Sequence, residues 1–122
     1  MKKIISSVMS LIIILGVVFI NSGQVKAYVA NCPVLGVHDM KAASGRGTVI
    51  VNNQTVLDWC PVYQCTGCKD VMITETDAVM YGTIGYYAEY NPGYWVSPAR
   101  VVLTVDHLDY AGLSIPGYRF RY

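Results

Sequence analysis

Cys32, Cys60, Cys65 and Cys68 are the residues of this chain whose type and spacing point most directly to chemistry. An even number of thiols in a short exported domain predicts disulfides. Two bridges are expected among these four, each worth roughly 2–4 kcal/mol through restriction of the unfolded chain, with at least one tying Cys32 to the later three. The pairing stays open, because four cysteines allow three connectivities. Four thiolates can also close a tetrahedral zinc site. The chain carries one Cys-x-x-Cys pair, Cys65 and Cys68, where such sites ordinarily have two, and an oxidising export route works against free thiolates. No metal is therefore expected. The same pair would read as a redox motif if it opened a helix, whose N-terminus lowers a thiol pKa; Lys69-Asp70-Val71-Met72-Ile73 leads into a strand instead.

The acid–base candidates are His38-Asp39, Asp106-His107-Leu108-Asp109, and the pair Glu75 and Asp77. Neighbours on a strand point to opposite faces, so Asp106 cannot orient His107, and neither histidine has a nucleophile motif beside it. His107 shares the face of Val101, Leu103 and Val105 and is expected at the edge of the core. Glu75 and Asp77 would share a face if extended, as a glycosidase pair must, but turn residues look the same and the domain is small for a polysaccharide cleft. The expectation is a protein that is not an enzyme and uses no cofactor.

Placing these residues begins with the leader. Lys2 and Lys3, the apolar run Leu11 to Ile20, and small residues at Val25 and Ala27 make residues 1–27 a secretory signal peptide. The run is about half the roughly 20 residues that a spanning helix needs, so cleavage, secretion and no stable membrane anchor are expected. Residues 28–122 then form one domain. Three of the nine basic residues (Lys2, Lys3, Lys26) lie in the leader, which leaves a slightly acidic domain without a basic stripe. Nucleic acid is excluded as a partner on that ground.

The domain reads as strands. Thr48 to Val51 and Gln54 to Trp59 flank Asn52-Asn53, two residues that tolerate positive φ, and predict a two-residue hairpin. Gly36 to Gly47 has no period and reads as surface loop. Val71 to Thr74 and Thr83 to Tyr90 are strands, with Asp77 to Met80 a turn or short strand between them. Arg100 to Leu108 alternates as a half-buried antiparallel strand, and Tyr118 to Tyr122 as a terminal edge strand. Helical periodicity is absent. The class expected is all-β, a small antiparallel barrel or sandwich stapled by disulfides.

All ten tyrosines and both tryptophans lie beyond the leader, and Tyr86, Tyr87, Tyr90, Tyr94 and Trp95 flank the turn Asn91-Pro92-Gly93. Tyr94-Trp95-Val96 is expected to pair back as a hairpin. Rings spread on a rigid sheet give large contact area at low entropic cost, so Tyr86, Tyr90, Tyr94 and Trp95 are the candidate ligand-binding residues. The stretch Ala88 to Val101, with Asn91-Pro92-Gly93-Tyr94-Trp95-Val96-Ser97, resembles the closing segment of bacterial SH3-like cell-wall-binding domains, and Ser44 to Ile50 is similar to their opening. The cysteine segment and the strands after Leu103 have no counterpart there. The resemblance implies a small antiparallel barrel that binds cell-wall glycan or peptide, with the aromatic hairpin as its groove. A cell-surface protein is the other partner considered, and a secreted antagonist, antimicrobial or inhibitory, is the alternative to a binding module.

Overall fold

Asn52 and Asn53 both take positive φ, at 51° and 64°, the combination that a two-residue hairpin matching strand twist requires. They join β1 (His38–Val51) to β2 (Gln54–Cys65), with Val51 opposite Gln54. The structure, a computed structural model, describes residues 31–97 and 100–122. The expected signal peptide therefore lies outside the described residues, as do two residues of Ser97-Pro98-Ala99, where a proline unable to donate to a ladder is expected to end the pairing of Tyr94 to Val96. After β2 come β3 (Val71–Thr74), a single helical turn α1 (Ala78–Tyr81), β4 (Thr83–Tyr90), β5 (Arg100–Val105), β6 (Asp109–Leu113) and β7 (Tyr118–Arg121).

The strands form one mixed sheet in the order β5-β1-β2-β3-β4-β6, with β7 also on β1. All-β is therefore right as a class, but the sheet is not closed into a barrel. Nor is it purely antiparallel: β5 and β7 both run parallel to β1, beside its second and first halves. The alternation in β5 is as expected, with Leu103 buried and Arg100 and Thr104 exposed. Its direction was not legible, because alternation reports which face is wet and not which way the neighbour runs.

β1 is also far longer than expected, since most of Gly36 to Gly47 belongs to it. Its pairing with β2 shifts register between Ala42 and Arg46, and such a bulge breaks the period that would mark a strand. At Gly47 a Cβ would stand 2.6 Å from Ile73 Cδ1 and 2.7 Å from Val62 Cγ2. Hydrogen at that position is what lets β1 cross so close to the core.

Both faces of the middle of the sheet are covered. Tyr63 and Cys65 of β2, Met72 of β3, and Ile84 and Tyr87 of β4 pack on one face with Cys32, Ala78, Ile115 and Tyr118. Val62, Val71, Ile73 and Ala88 pack on the other with Val49, Leu57 and Leu103. All four residues of β3 are consequently buried. Placing Leu103 of β5 with Ala88 of β4 brings distant members of the strand order together, so the sheet curls.

Asp77, expected in a turn or strand, caps α1. Its Oδ1 accepts from the N–H groups of Val79 and Met80 at 3.0 and 3.1 Å and from the Tyr63 hydroxyl at 2.9 Å. Burial alone would raise its pKa, but the Met80 N–H, the Tyr63 and Tyr122 hydroxyls and the Val79 N–H outweigh that and hold it low. Asp77→Ala is expected to cost about 1–2 kcal/mol of stability, the worth of a strong N-cap, read as a lower urea midpoint. Because the folded-state pKa is depressed, this contribution is complete above the ordinary carboxylate range and disappears as pH falls through the depressed value. The wild type and Asp77→Ala should therefore converge in strong acid; an equal gap at all pH values would show that the charge is not what the cap supplies.

Candidate functional site

The chain enters β1 through a turn at Cys32, and β2 leaves through a second turn at Cys65. In the first, Gly36 N–H donates to Cys32 O at 2.8 Å, and in the second Lys69 N–H donates to Cys65 O at 3.1 Å. Gly36 and Lys69, each four residues past its cysteine, both take positive φ, 80° and 69°. Gly67 sits where the turns meet, and a Cβ there would lie 2.7 Å from Leu35 Cγ and 3.1 Å from Cys32 Sγ. The result brings Cys32, His38, Cys65 and Cys68 together, with one donor atom from each within 4.8 Å of all the others. Cys32 Sγ and Cys65 Sγ are 3.8 Å apart, and Cys68 Sγ is 3.4 Å from His38 Nδ1.

This arrangement does not support the disulfides expected at Cys32, Cys60, Cys65 and Cys68: all four are free, and no pair is at bonding distance. Strand geometry explains why Cys60 stays apart. It is an odd number of residues from Cys65 on the same strand, so the two side chains point to opposite faces; Cys60 packs with the second core cluster and Cys65 with the first. Burial works against ionisation of Cys32, but the Leu35 and Val34 N–H groups and the Cys65 and Cys68 thiols outweigh it and hold its pKa below the ordinary value. Burial, reinforced by the Cys65 and Cys32 thiols, pushes Cys68 up to about 12.

His38 is stacked on Tyr118, with ring centroids 4.4 Å apart, and a carboxylate oxygen each from Asp70 and Glu89 lies within 4.8 Å of its ring nitrogen. Tyr118 donates its hydroxyl to Glu89 Oε2 at 2.6 Å. Burial first, then the neighbouring Asp70, raise Glu89 to about 8. Asp70 Oδ2, beside it, is buried with no hydrogen-bond partner among the described residues.

The aromatic residues occupy a different face. Gln64, next to Cys65 on β2, points the opposite way and grips the segment after β4: its Nε2 donates to Tyr94 O at 2.8 Å and its Oε1 accepts from Val96 N–H at 3.1 Å. Tyr94-Trp95-Val96 is thus an irregular segment held by a side chain, and the expected returning strand is absent. Lys69 Nζ stands 3.8 Å from the Trp95 ring centroid, a cation–π contact that occupies one side of the indole. Tyr86, Tyr90, Tyr94 and Trp95 are 45, 47, 64 and 55 % exposed. They do not form one continuous stack: Tyr86 packs on Tyr110 of β6, centroids 4.7 Å apart. Tyr90 and Asn91 line a groove of about 440 Å³ with Asp70, Glu89, Asp106 and His107. Trp95 and Val96 line a smaller one of about 250 Å³ with Lys41, Ala42 and Gln64.

The remaining candidates are engaged elsewhere. His107, expected at the edge of the core, is exposed and lies 3.5 Å from Asp109. Glu75 accepts from Tyr86 N–H at 3.3 Å while Asp77 caps α1, so each carboxylate already serves the backbone. Two features escaped the sequence reading. One is His38 as a companion of the thiols, signalled only by its position soon after Cys32. The other is an exposed patch of Trp59, Met80 and Tyr81 around a third groove. Trp59 takes φ 57° inside β2, a conformation no local motif announces.

The molecule is therefore a curled, open β domain that carries a cluster of three thiols and an imidazole on one face and an anchored aromatic segment on another. No protein family, curated protein or solved structure matches the chain.

Proposed function

We propose that this protein is a secreted, non-enzymatic binding module for cell-surface or peptidoglycan components, held through Tyr86, Tyr90, Tyr94 and Trp95. The observation that carries this reading is the Tyr90 to Val96 segment: three exposed rings on a backbone clamped by Gln64, reaching one groove at each end. Rings fixed in this way contact a ligand without much ordering cost. A sugar ring stacks on Tyr90, and the groove carboxylates Asp106 and Asp109 accept from its hydroxyls or from the amino groups of a wall peptide. The resemblance of the same segment to bacterial SH3-like domains points the same way.

Hydroxyl-radical footprinting on purified sacculi tests the surface ring by ring. Tyr90, Tyr94 and Trp95 should lose oxidation several-fold when the wall is present, while Trp59, in its separate groove, stays reactive. Unchanged oxidation of the three rings, or protection at Trp59 and Tyr81 alone, would overturn the assignment.

A further inference from the structure

We infer that Cys32, His38, Cys65 and Cys68 form a closed structural zinc site, three thiolates and one imidazole around a single ion. A tetrahedral zinc with Zn–S near 2.3 Å and Zn–N near 2.0 Å sets its sulfurs about 3.8 Å from one another and about 3.5 Å from the nitrogen. The observed separations are 3.8 Å for Cys32 to Cys65 and 3.4 Å for Cys68 to His38 Nδ1. Four groups whose positions come from two separate turns and the start of β1 thus converge at ligand spacing.

Three further features fit. The turns match in hydrogen bond and in the positive φ of their fifth residue, so each presents its cysteine from a fixed backbone. Leu35 N–H donates to Cys32 Sγ at 3.4 Å, as a donor does to a metal-bound thiolate. Ligating histidines usually have a carboxylate close to the ring, and here an oxygen of Asp70 lies within 4.8 Å of a His38 ring nitrogen, with Tyr118 stacked against the ring's face. Four protein donors fill a tetrahedral ion and leave no position for substrate, and Cys32, His38 and Cys65 are buried with Cys68 half-buried, so the site is structural, not catalytic. Thiolates with imidazole favour zinc over calcium or magnesium, which take oxygen.

The test is metal content of the full chain by plasma emission and native mass spectrometry, with zinc titration into metal-free protein. One zinc per chain is expected, unchanged in Cys60→Ser. Cys68→Ser and His38→Ala should each weaken zinc by more than the ~100-fold that loss of an outer-sphere partner can reach. Should those variants fail to fold, cobalt(II) exchanged into the wild type still reports, through the charge-transfer and ligand-field bands of a tetrahedral thiolate site. A folded wild type that takes up no zinc, one that carries a Cys32–Cys65 disulfide instead, or zinc content indifferent to Cys68→Ser would each overturn the site. None of these readouts involves the Tyr90 groove, so the two proposals stand or fall separately.

Discussion

Adding a strong chelator is expected to unfold this protein, and returning zinc to refold it. The four ligands join the turn before β1, the start of β1, the end of β2 and the turn into β3. The same cluster of residues forms one of the two cores: Cys32 and Cys65 pack with Met40, Tyr63 and Met72. Structural zinc contributes an apparent ~10–16 kcal/mol to small domains that fold around it, against a total stability of about 5–15 kcal/mol for a domain of ordinary size. The metal is therefore large enough to decide whether the fold exists. Circular dichroism checks it: the β signal should collapse with chelator and survive a thiol reductant alone. Disulfide stapling predicts the reverse pattern, and that outcome would contradict the zinc account.

The local parts of this fold were readable where one short stretch decides them. Asn52-Asn53 announces the first hairpin because only residues tolerant of positive φ fit there, and the alternation of Val101, Leu103 and Val105 announces a half-buried β5. What failed to read was long-range. A bulge near Ala42 hides the first half of β1, and nothing within β5 or β7 records that each runs parallel to β1. The Gln64 clamp on Tyr94 and Val96 spans about thirty residues between one side chain and a backbone, so turn chemistry at Asn91-Pro92-Gly93 suggested a hairpin instead.

The cysteines show the same division. Counting them suggested two bridges, whereas β2 continues past Trp59, where the sequence placed its end, to Cys65 and so sets Cys60 and Cys65 on opposite faces. The fourth member of the cluster, His38, could be placed only by the antiparallel pairing that sets Met40 opposite Cys65. Of the predicted ligand-binding residues, Tyr90, Tyr94 and Trp95 share one anchored segment, while Tyr86 turned out to pack on Tyr110, a partner supplied by β6.

Replacing Tyr94 and Trp95 together by alanine should weaken attachment to the wall by about 1,000-fold, since aromatic anchors that become buried on binding often cost ~2 kcal/mol or more apiece when truncated. The substitution is clean. Gln64 holds this segment through the carbonyl of Tyr94 and the N–H of Val96, and both survive loss of the rings. Lys69 loses its aromatic partner, but its ammonium keeps the Thr66 carbonyl at 2.7 Å. A normal urea midpoint in the double variant would verify that folding is spared. Co-sedimentation of wild type and double variant with purified sacculi is the most direct measurement: the account predicts that the wild type pellets and the variant stays in solution, and equal retention of the two would contradict it.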